Sequence, residues 1–223
     1  MECPGMQRYC PILEPVDDMN PKLNMDASFW NDRYAVADHV YGEAPNAFVE
    51  EFALQIPAGP VLCLAEGEGR NAVYLVTLGH RVTAVDQSEV GLAKARRLAD
   101  ARGVGITTVT ADLSDYDIAA GAWAGIIATF AHLPPALRRR IHRDVTAGLM
   151  PGGVFILEAY TPAQLAFDTG GPKAPELLMT LTELRGELSG LEFEIARELE
   201  RDVMEGAYHT GRGAVVQILA RRL

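Results

Sequence analysis

Residues 61–86 read VLCLAEGEGRNAVYLVTLGHRVTAVD, and this stretch decides the fold. An apolar run at 61–64 leads into a glycine-containing bend, a segment with helical spacing, and a second strand-like run at 81–85 that ends at Asp86. A strand, a tight bend, a helix and a second strand form the unit from which parallel sheets are built. The stretch therefore predicts two adjacent parallel strands, with the bend and Asp86 at the same edge of the sheet.

The alternation of strands and helices continues along most of the chain. Further strand-like runs lie at 106–110, 124–129 and 153–158, and helical patterns lie at 70–78, 88–102 and 134–149. A run that is apolar throughout, such as 125–128, is typical of a strand buried on both faces. We therefore predict an α/β fold with a Rossmann-like, mostly parallel sheet and helices on both faces.

The C-terminal part of the chain breaks this alternation. After a predicted helix near 176–187, strand-like runs at 191–201 and 214–223 are separated by a glycine-containing turn. They predict an antiparallel hairpin that brings the sheet to seven strands, although the Glu-rich first run is also compatible with a helix.

Length and composition limit the organisation of the protein. Its 223 residues are enough for a single domain, predicted over 25–223, whereas the proline-rich residues 1–24 lack periodicity and predict a disordered tail. Asp26 is a candidate N-cap for a short helix that follows it. Whether Met25 is the native start stays open.

Charge and residue usage exclude several classes of partner. With 20 Lys plus Arg against 30 Asp plus Glu, the net charge of −10 argues against a nucleic-acid-binding surface. No apolar run is long enough to span a bilayer and no secretory signal is visible, so we expect a cytoplasmic protein without a membrane partner. The three cysteines form no metal-ligand pattern, and no metal site is expected.

The bend at 65–69 is the expected cofactor site, because open parallel sheets bind ligands beyond the carboxyl ends of their strands. The sequence GEGRNA at 67–72 matches the dinucleotide fingerprint G-x-G-x-x-A, and a tight turn without a ligand is also possible. However, Glu66 and Glu68 would repel a pyrophosphate and attract a cofactor that carries a sulfonium and an amino group. Asp86 is placed to accept hydrogen bonds from both hydroxyls of a ribose.

These motifs resemble those of the class I S-adenosylmethionine-dependent methyltransferases over residues 26–223. VLCLAEGEGRN at 61–71 resembles the first motif of that family, VTAVDQS at 82–88 the second and TADLSDY at 110–116 the third. LMPGGVFILE at 149–158 is similar to the turn into the fifth strand of the family, and the C-terminal hairpin fits its antiparallel seventh strand.

The resemblance implies S-adenosylmethionine as the cofactor. FWNDRY at 29–34 resembles the W-x-x-R segment of the small tellurite-resistance and thiopurine methyltransferase group, in which Trp30 would cover the methionine part and Arg33 would reach its carboxylate. Cys63 stands where many members carry an acidic residue, and Glu66 is the expected replacement. The implied cofactor-binding residues are Trp30, Arg33, Ala65, Glu66, Gly67, Gly69, Asn71, Asp86, Gln87, Asp112, Leu113 and Thr129.

The acceptor side is predicted from the ends of later strands. His132 follows the fourth predicted strand and is the candidate catalytic residue, as a base or as a donor that orients the acceptor, unless it only caps the next helix. The long segment 160–175 is rich in Gly and Pro and is predicted to form an acceptor lid, with Tyr160, Phe167 and Lys173 as substrate contacts.

Other basic and imidazole groups are weaker candidates for the site. The cluster LRRRIHR at 137–143 is interpreted as a solvated helix face, and His209 lies in a less suggestive place than His132.

We therefore predict a methyltransferase that transfers a methyl group from S-adenosylmethionine to a small-molecule acceptor, with a thiol or a chalcogen oxyanion as possible acceptors. The alternatives are an NAD-type oxidoreductase and a non-catalytic protein that binds S-adenosylmethionine. The sequence leaves the identity of the acceptor and the oligomeric state open.

Overall fold

The fold is seen in a computed structural model that describes residues 25–167 and 169–223. The tail predicted at 1–24 lies outside the described residues. Within the described part, the chain forms six α-helices, α1 (Ala27–Tyr34), α2 (Ala47–Phe52), α3 (Arg70–Thr77), α4 (Glu89–Ala101), α5 (Pro135–Gly148) and α6 (Leu181–Glu187). Short 3₁₀ turns lie at Ala53–Gln55, Pro162–Ala166 and Pro175–Leu177.

A seven-stranded sheet runs through the described residues. Its strands are β1 (Pro60–Leu64), β2 (Arg81–Asp86), β3 (Thr107–Thr110), β4 (Trp123–Thr129), β5 (Leu149–Tyr160), β6 (Leu191–Met204) and β7 (Thr210–Arg222). The strand order is β3-β2-β1-β4-β5-β7-β6. The neighbours from β3 to β5 pair in parallel, whereas β7 pairs antiparallel with both β5 and β6. The predicted fold class and the C-terminal hairpin are confirmed.

The alternation of side chains along β1 explains why helices cover both faces of the sheet. Successive residues of a strand point to opposite faces. Leu62 and Leu64 belong to an apolar cluster that includes residues of α5 and α6, whereas Val61 and Cys63 belong to a second cluster with residues of α2, α3 and α4. The side chains of this five-residue strand therefore contribute to the apolar cores on both faces of the sheet.

The segment predicted as one helix near 176–187 is divided in the structure. Pro175–Leu177 forms a 3₁₀ turn, and α6 begins only at Leu181, after Thr180 and Glu183 form a reciprocal capping box. Between them, the backbone amide of Met179 donates to the carbonyl of Tyr160 at 3.0 Å, which holds this part of the chain extended beside β5. The prediction of a continuous helix was therefore wrong for its first half.

The short N-terminal helix forms where it was predicted and packs onto the predicted bend. Asp26 caps α1, because its carboxylate accepts from the backbone amides of Ser28 and Phe29. At the other end of the helix, the buried ring of Tyr34 lies against Gly67 and Gly91. The helix therefore covers the edge of the sheet at which the bend lies.

None of the helices formed by residues 25–167 and 169–223 has both the length and the apolar character that a membrane span requires.

Candidate functional site

A cavity of about 800 Å³ lies at the carboxyl ends of the parallel strands. Its walls come from the bend after β1, from the ends of β2 and β4, from α1 and from the loop at 170–174. The predicted site residues that line it are Trp30, Arg33, Ala65, Glu66, Asn71, Asp86, Gln87, Asp112, Leu113, Thr129, His132 and Lys173. The structure thus brings most of the predicted site together in one place.

Asp86 holds the bend in position. One oxygen of its carboxylate accepts a hydrogen bond from the backbone amide of Gly67 at 2.8 Å, and the other accepts from that of Ser88 at 2.8 Å. Ala65, within the bend, has a φ of +49°, a conformation that costs free energy for a residue other than glycine. Burial raises the pKa of Asp86, while the two amide bonds oppose that rise. The second strand therefore fixes the conformation of the first turn.

Glu66 occupies the N-terminus of α3. Its carboxylate accepts a hydrogen bond from the backbone amide of Ala72 at 2.8 Å. The N-cap residue, Gly69, has no side chain that could accept this bond. Burial raises the pKa of Glu66 to about 7, although the amides of α3 and the charge of Arg70 oppose this effect. One of the amides that a pyrophosphate would use at a helix start is thus taken up by the protein's own carboxyl group.

Glu68 does not contribute the free negative charge that was predicted for it. Its carboxylate lies 2.5 Å from the ammonium of Lys94, and both side chains are buried. The second carboxylate oxygen accepts from the backbone amide of Tyr41 at 3.3 Å. Glu66 alone therefore argues against a pyrophosphate at this site. It does so mainly because its carboxylate already accepts from an amide of α3, and less because it would repel the phosphates.

The two glycines of the bend are used for packing. A Cβ atom on Gly69 would lie 2.5 Å from the Cβ atom of Ala95 in α4, and one on Gly67 would lie 2.6 Å from the hydroxyl of Tyr34. Neither glycine lines the cavity among the described residues. The two glycines therefore allow α4 and α1 to approach the bend closely, and their predicted contacts with the cofactor stay a prediction.

The aromatic side chains of α1 form one wall of the cavity. Trp30 stacks on Tyr34 with ring centroids 5.7 Å apart. The guanidinium of Arg33 lies over the rings of Phe29 and Tyr208, 4.8 and 4.9 Å from their centroids. It also donates a hydrogen bond to the hydroxyl of Tyr41 at 3.2 Å. Arg33 is therefore held at the cavity wall by aromatic rings from both ends of the chain.

The remaining predicted cofactor residues occupy three parts of the cavity wall. Asn71 donates from its amide to the hydroxyl of Thr129 at 2.9 Å and so joins α3 to the end of β4. Gln87 donates to the carbonyl of Met25, next to α1. Asp112, with Leu113 beside it, follows β3 and accepts from the backbone amide of Ser114 at 2.6 Å.

His132 bridges two parts of the wall. Its Nδ1 lies 2.9 Å from the carbonyl oxygen of Leu177, and its Nε2 accepts from the backbone amide of Tyr160 at 3.4 Å. Burial is the main cause of a pKa lowered to about 4. The ring therefore holds the 3₁₀ turn at Pro175–Leu177 against β5, and its catalytic role stays a prediction.

The loop predicted as a lid contributes to the cavity in part. Gly170, Gly171 and Lys173 line it, together with Pro172 and Ala174. Phe167, which follows the 3₁₀ turn at Pro162–Ala166, does not line it. Asp168 lies outside the described residues. Tyr160 is fully buried behind the wall, where its ring lies against Gly171. This arrangement therefore does not favour direct contacts of a substrate with Phe167 or with the ring of Tyr160.

Sequence reasoning missed an aromatic group at the far end of the cavity. His209 lines the cavity, and its ring lies 4.6 Å from the centroids of both Tyr41 and Phe130. Phe130 has a φ of +53°, which is unusual for this residue and turns the chain at the end of β4. The sequence pattern offers little reason to place His209 at the cavity, yet it lines the wall because the β6–β7 turn folds back over the strand ends.

A buried charged network supports this end of the site and was also missed. Glu158 in β5 accepts hydrogen bonds from the side chains of Asn46, Arg201 and Gln217. Arg201 also contacts Glu205, which pairs with Arg70 of α3 at 2.6 Å. A polar residue inside an otherwise apolar strand, as in VFILEAY and AVVQILA, is the sequence signal that could have pointed to Glu158 and Gln217.

The cluster at 137–143 is only in part the solvated helix face that was predicted. Arg138 and His142 are buried, and both contact the carboxylate of Glu187 in α6, at 2.8 and 2.7 Å. Arg138 and His142 therefore attach α6 to α5, outside the cavity lining, whereas Arg139 and Arg143 are exposed.

This geometry can be compared with known proteins. Residues 61–153 match the model of a methyltransferase domain. The matched segment runs from β1 into β5 and contains the bend, Asp86 and Asp112. Among curated proteins, a sequence search finds no match.

Solved structures show the same fold. TehB from Haemophilus influenzae is 22% identical, with a TM-score of 0.67 over 88% of this chain and 67% of that one. A protein described under the conversion of a disulfide bond into a thioacetal group during echinomycin biosynthesis is 21% identical, with a TM-score of 0.71 over 89% of this chain and 90% of that one. An S-adenosylmethionine-dependent methyltransferase from Anabaena variabilis is 15% identical, with a TM-score of 0.64 over 88% and 93%.

Residues 61–153 thus resemble a methyltransferase domain, and the solved structures share the fold of the chain. The resemblance to the tellurite-resistance and thiopurine methyltransferase group stays a prediction.

Proposed function

We propose that this protein transfers a methyl group from S-adenosylmethionine to a small-molecule acceptor. One observation carries the proposal. A single cavity joins the carboxylates at the ends of β2 and β3 to an aromatic end, while the helix N-terminus beside it is already occupied by Glu66. Its volume of about 800 Å³ lies in the upper part of the range of roughly 300–1,000 Å³ for ligand sites, which leaves room for a cofactor and a small acceptor.

The residues present fit this cofactor. S-adenosylmethionine has no phosphate and needs no free amides at the start of α3. Its ribose hydroxyls and its adenine amino group are donors, which suit Asp86 and Asp112. Leu113 would contact the adenine face, and Arg33 would pair with the methionine carboxylate beneath Trp30.

The protein's own part in the reaction is alignment and the exclusion of water. When bound, S-adenosylmethionine supplies an activated methyl group, so a strong nucleophile on the protein is not required. The aromatic wall of α1 and the loop at 170–174 flank the cavity from two sides and would shield the reacting atoms. Lys173, from this loop, would contact the acceptor.

We propose a sulfur or chalcogen atom as the nucleophile of the acceptor. The sequence resemblance to the tellurite-resistance and thiopurine group supports this proposal. So does the fold shared with TehB and with a protein described by the conversion of a disulfide into a thioacetal, which is sulfur chemistry.

Two alternatives are weaker. An NAD-type oxidoreductase would need the helix N-terminus that Glu66 fills, and its sheet would have the order 3-2-1-4-5-6, whereas β7 here lies antiparallel between β5 and β6. A non-catalytic binding protein would not need an acceptor space beyond the cofactor.

Calorimetry followed by a transfer assay tests the proposal. The protein should bind S-adenosylhomocysteine and should not bind NADH. With methyl-labelled S-adenosylmethionine, label should move to at least one member of a panel of thiols, phenols and chalcogen oxyanions. Tight binding of NADH would overturn the proposal, and tight S-adenosylhomocysteine binding without transfer to any acceptor would favour the non-catalytic alternative.

A further inference from the structure

We propose that Tyr208 is a positioning residue for the cofactor, whose ring holds the guanidinium of Arg33 in the orientation that pairs with the carboxylate of the methionine part. This role rests on the proposed function and deepens it, because it gives the β6–β7 turn (205–209) a part in binding the methyl donor. The sequence segment that contains Arg33, FWNDRY at 29–34, holds no indication of a partner near the C-terminus.

The first support is the contact between the two side chains at the cavity wall. The Cζ atom of Arg33 lies 4.9 Å from the ring centroid of Tyr208 and 4.8 Å from that of Phe29. Cation–π attraction acts between a guanidinium and a ring within about 6 Å. Arg33 and Tyr208 both line the cavity, and Tyr208 is 39% exposed. A ligand in the cavity can therefore reach this pair.

The second support is the way in which the orientation of the guanidinium is fixed. Its Nη1 donates to the hydroxyl of Tyr41 at 3.2 Å, and the ring of Trp30 lies 5.6 Å from its Cζ atom. Rings bind a guanidinium through its flat face, whereas a carboxylate binds the N–H groups in its plane. The surrounding rings and the hydroxyl therefore determine the direction in which Arg33 presents its N–H groups.

The third support is that the β6–β7 turn is anchored in the interior of the protein. Glu205 begins the turn and is buried, and its carboxylate accepts from Arg70 of α3 at 2.6 Å. The same carboxylate accepts from Arg201 at 2.8 Å and from Asn46 at 2.9 Å. The backbone amide of Glu205 donates to the carbonyl of His209 at 2.7 Å and closes the turn. These bonds tie the turn to α2, α3 and β6 and so fix its position.

The turn also packs directly on the segment that precedes α2. Gly206 has a φ of +74°, and a Cβ atom there would lie 2.5 Å from the Cα atom of Tyr41. Next to it, the backbone amide of Ala207 donates to the carbonyl of Val40 at 2.9 Å. The two tyrosine side chains that contact the guanidinium are therefore carried by segments that are joined to each other.

This arrangement matters for methyl transfer because the carboxylate and the sulfur of the cofactor belong to the same short chain. Arg33, held in place, would fix the carboxylate end of that chain and so limit where the methyl group can lie. A misplacement of about 1 Å between reacting groups can lower a rate by roughly 10²-fold. Tyr208 acts through Arg33 and is therefore a positioning residue, not a catalytic one.

Isothermal titration calorimetry with two ligands tests this role. S-adenosylhomocysteine is compared with its decarboxylated analogue, which keeps the adenine, ribose, thioether and amino group. The wild-type protein should bind S-adenosylhomocysteine about tenfold or more tightly than the analogue, because a charged hydrogen-bond pair is lost. Tyr208→Leu should weaken binding of S-adenosylhomocysteine by about three- to tenfold and change the Kd of the analogue by less than about twofold.

Three further variants identify the cause of any loss. Tyr208→Phe keeps the ring, so its Kd for either ligand should stay within about twofold of wild type. Tyr74→Leu, at a half-buried position outside the cavity lining, is the matched control and should leave both affinities unchanged. In an Arg33→Gln background, Tyr208→Leu should cause no further loss, because both changes remove the same interaction.

The outcomes separate this role from the proposed function. If the wild-type protein does not bind S-adenosylhomocysteine, the proposed function fails. If it binds, three results each overturn the role of Tyr208 while leaving the methyltransferase proposal intact. They are an equal affinity of the wild type for the two ligands, an unchanged Kd in Tyr208→Leu, and an equal loss of both ligands in that variant.

Discussion

The carboxylate of Glu66 lies 2.8 Å from the backbone amide of Ala72 and closes the N-terminus of α3 with a group from the preceding bend. A helix start normally leaves several amides free for an anion. Here the bend both lines the cavity and supplies a carboxylate that takes up one of these amides, which makes the start of α3 less suited to a phosphate.

The raised pKa of Glu66 predicts a pH-dependent contribution to stability. Because the pKa in the folded protein is about 7 and lies above the usual value, the protonated form is favoured by folding. The contribution is fully present below the ordinary pKa of a glutamate and is lost as the pH rises through about 7. The Tm of the wild type relative to Glu66→Gln should therefore fall between pH 4.5 and pH 8. Glu192→Gln, at an exposed position of β6, controls for the loss of one carboxylate, and an unchanged difference for Glu66→Gln would contradict the prediction.

Asp86→Ala should weaken binding of S-adenosylhomocysteine by about 1–3 kcal/mol, or roughly 5- to 150-fold in Kd. The variant removes the carboxylate predicted to hold the ribose and also frees the amides of Gly67 and Ser88. Isothermal titration calorimetry measures the change, with the exposed Asp100→Ala in α4 as control. An unchanged Kd for Asp86→Ala would place the ribose elsewhere.

Lys94→Met should destabilise the protein by about 3–5 kcal/mol, because it leaves the Glu68 carboxylate buried without its cation. Urea unfolding measures the loss. The double variant Lys94→Met/Glu68→Gln should recover a large part of it, since the uncompensated charge is removed. Arg102→Met, which breaks the exposed pair with Glu43, should cost less than about 1 kcal/mol. A double variant no more stable than Lys94→Met alone would show that charge is not the cause.

Gly69→Ala separates packing from ligand contact at the bend. The residue has a φ of +90°, and a Cβ atom would lie 2.7 Å from the Cα atom of Ala95. Gly103→Ala is matched in conformation, with a φ of +67° and open space around it, and should cost about 1–2 kcal/mol. Gly69→Ala should cost about 1–3 kcal/mol more, because α4 must move. If the two variants lost the same free energy of unfolding, Gly69 would have no role in packing against α4.

The sequence specified the fold through features that act locally. The apolar runs of β1 and β4, the bend before α3 and the placement of Asp86 follow from side-chain periodicity and from the conformations that glycine permits. The site was predictable where it follows strand ends, as at Asp112 and Thr129. His209 was not, because its place in the cavity depends on the β6–β7 turn crossing back over β4, a contact between distant parts of the chain. The same holds for Lys94 and Arg138, whose burial depends on carboxylates 26 and 49 residues away.

The position of β7 between β5 and β6 has a consequence for synthesis on the ribosome. β5 is translated well before the strand that covers its edge, and β6 emerges without a neighbour until β7 follows it. A nascent chain therefore exposes an unpaired β5 edge, which is a template for aggregation, during the time that about sixty further residues are added. Chaperone demand during translation should thus be greatest after β1 to β5 are complete and before the hairpin of β6 and β7 docks.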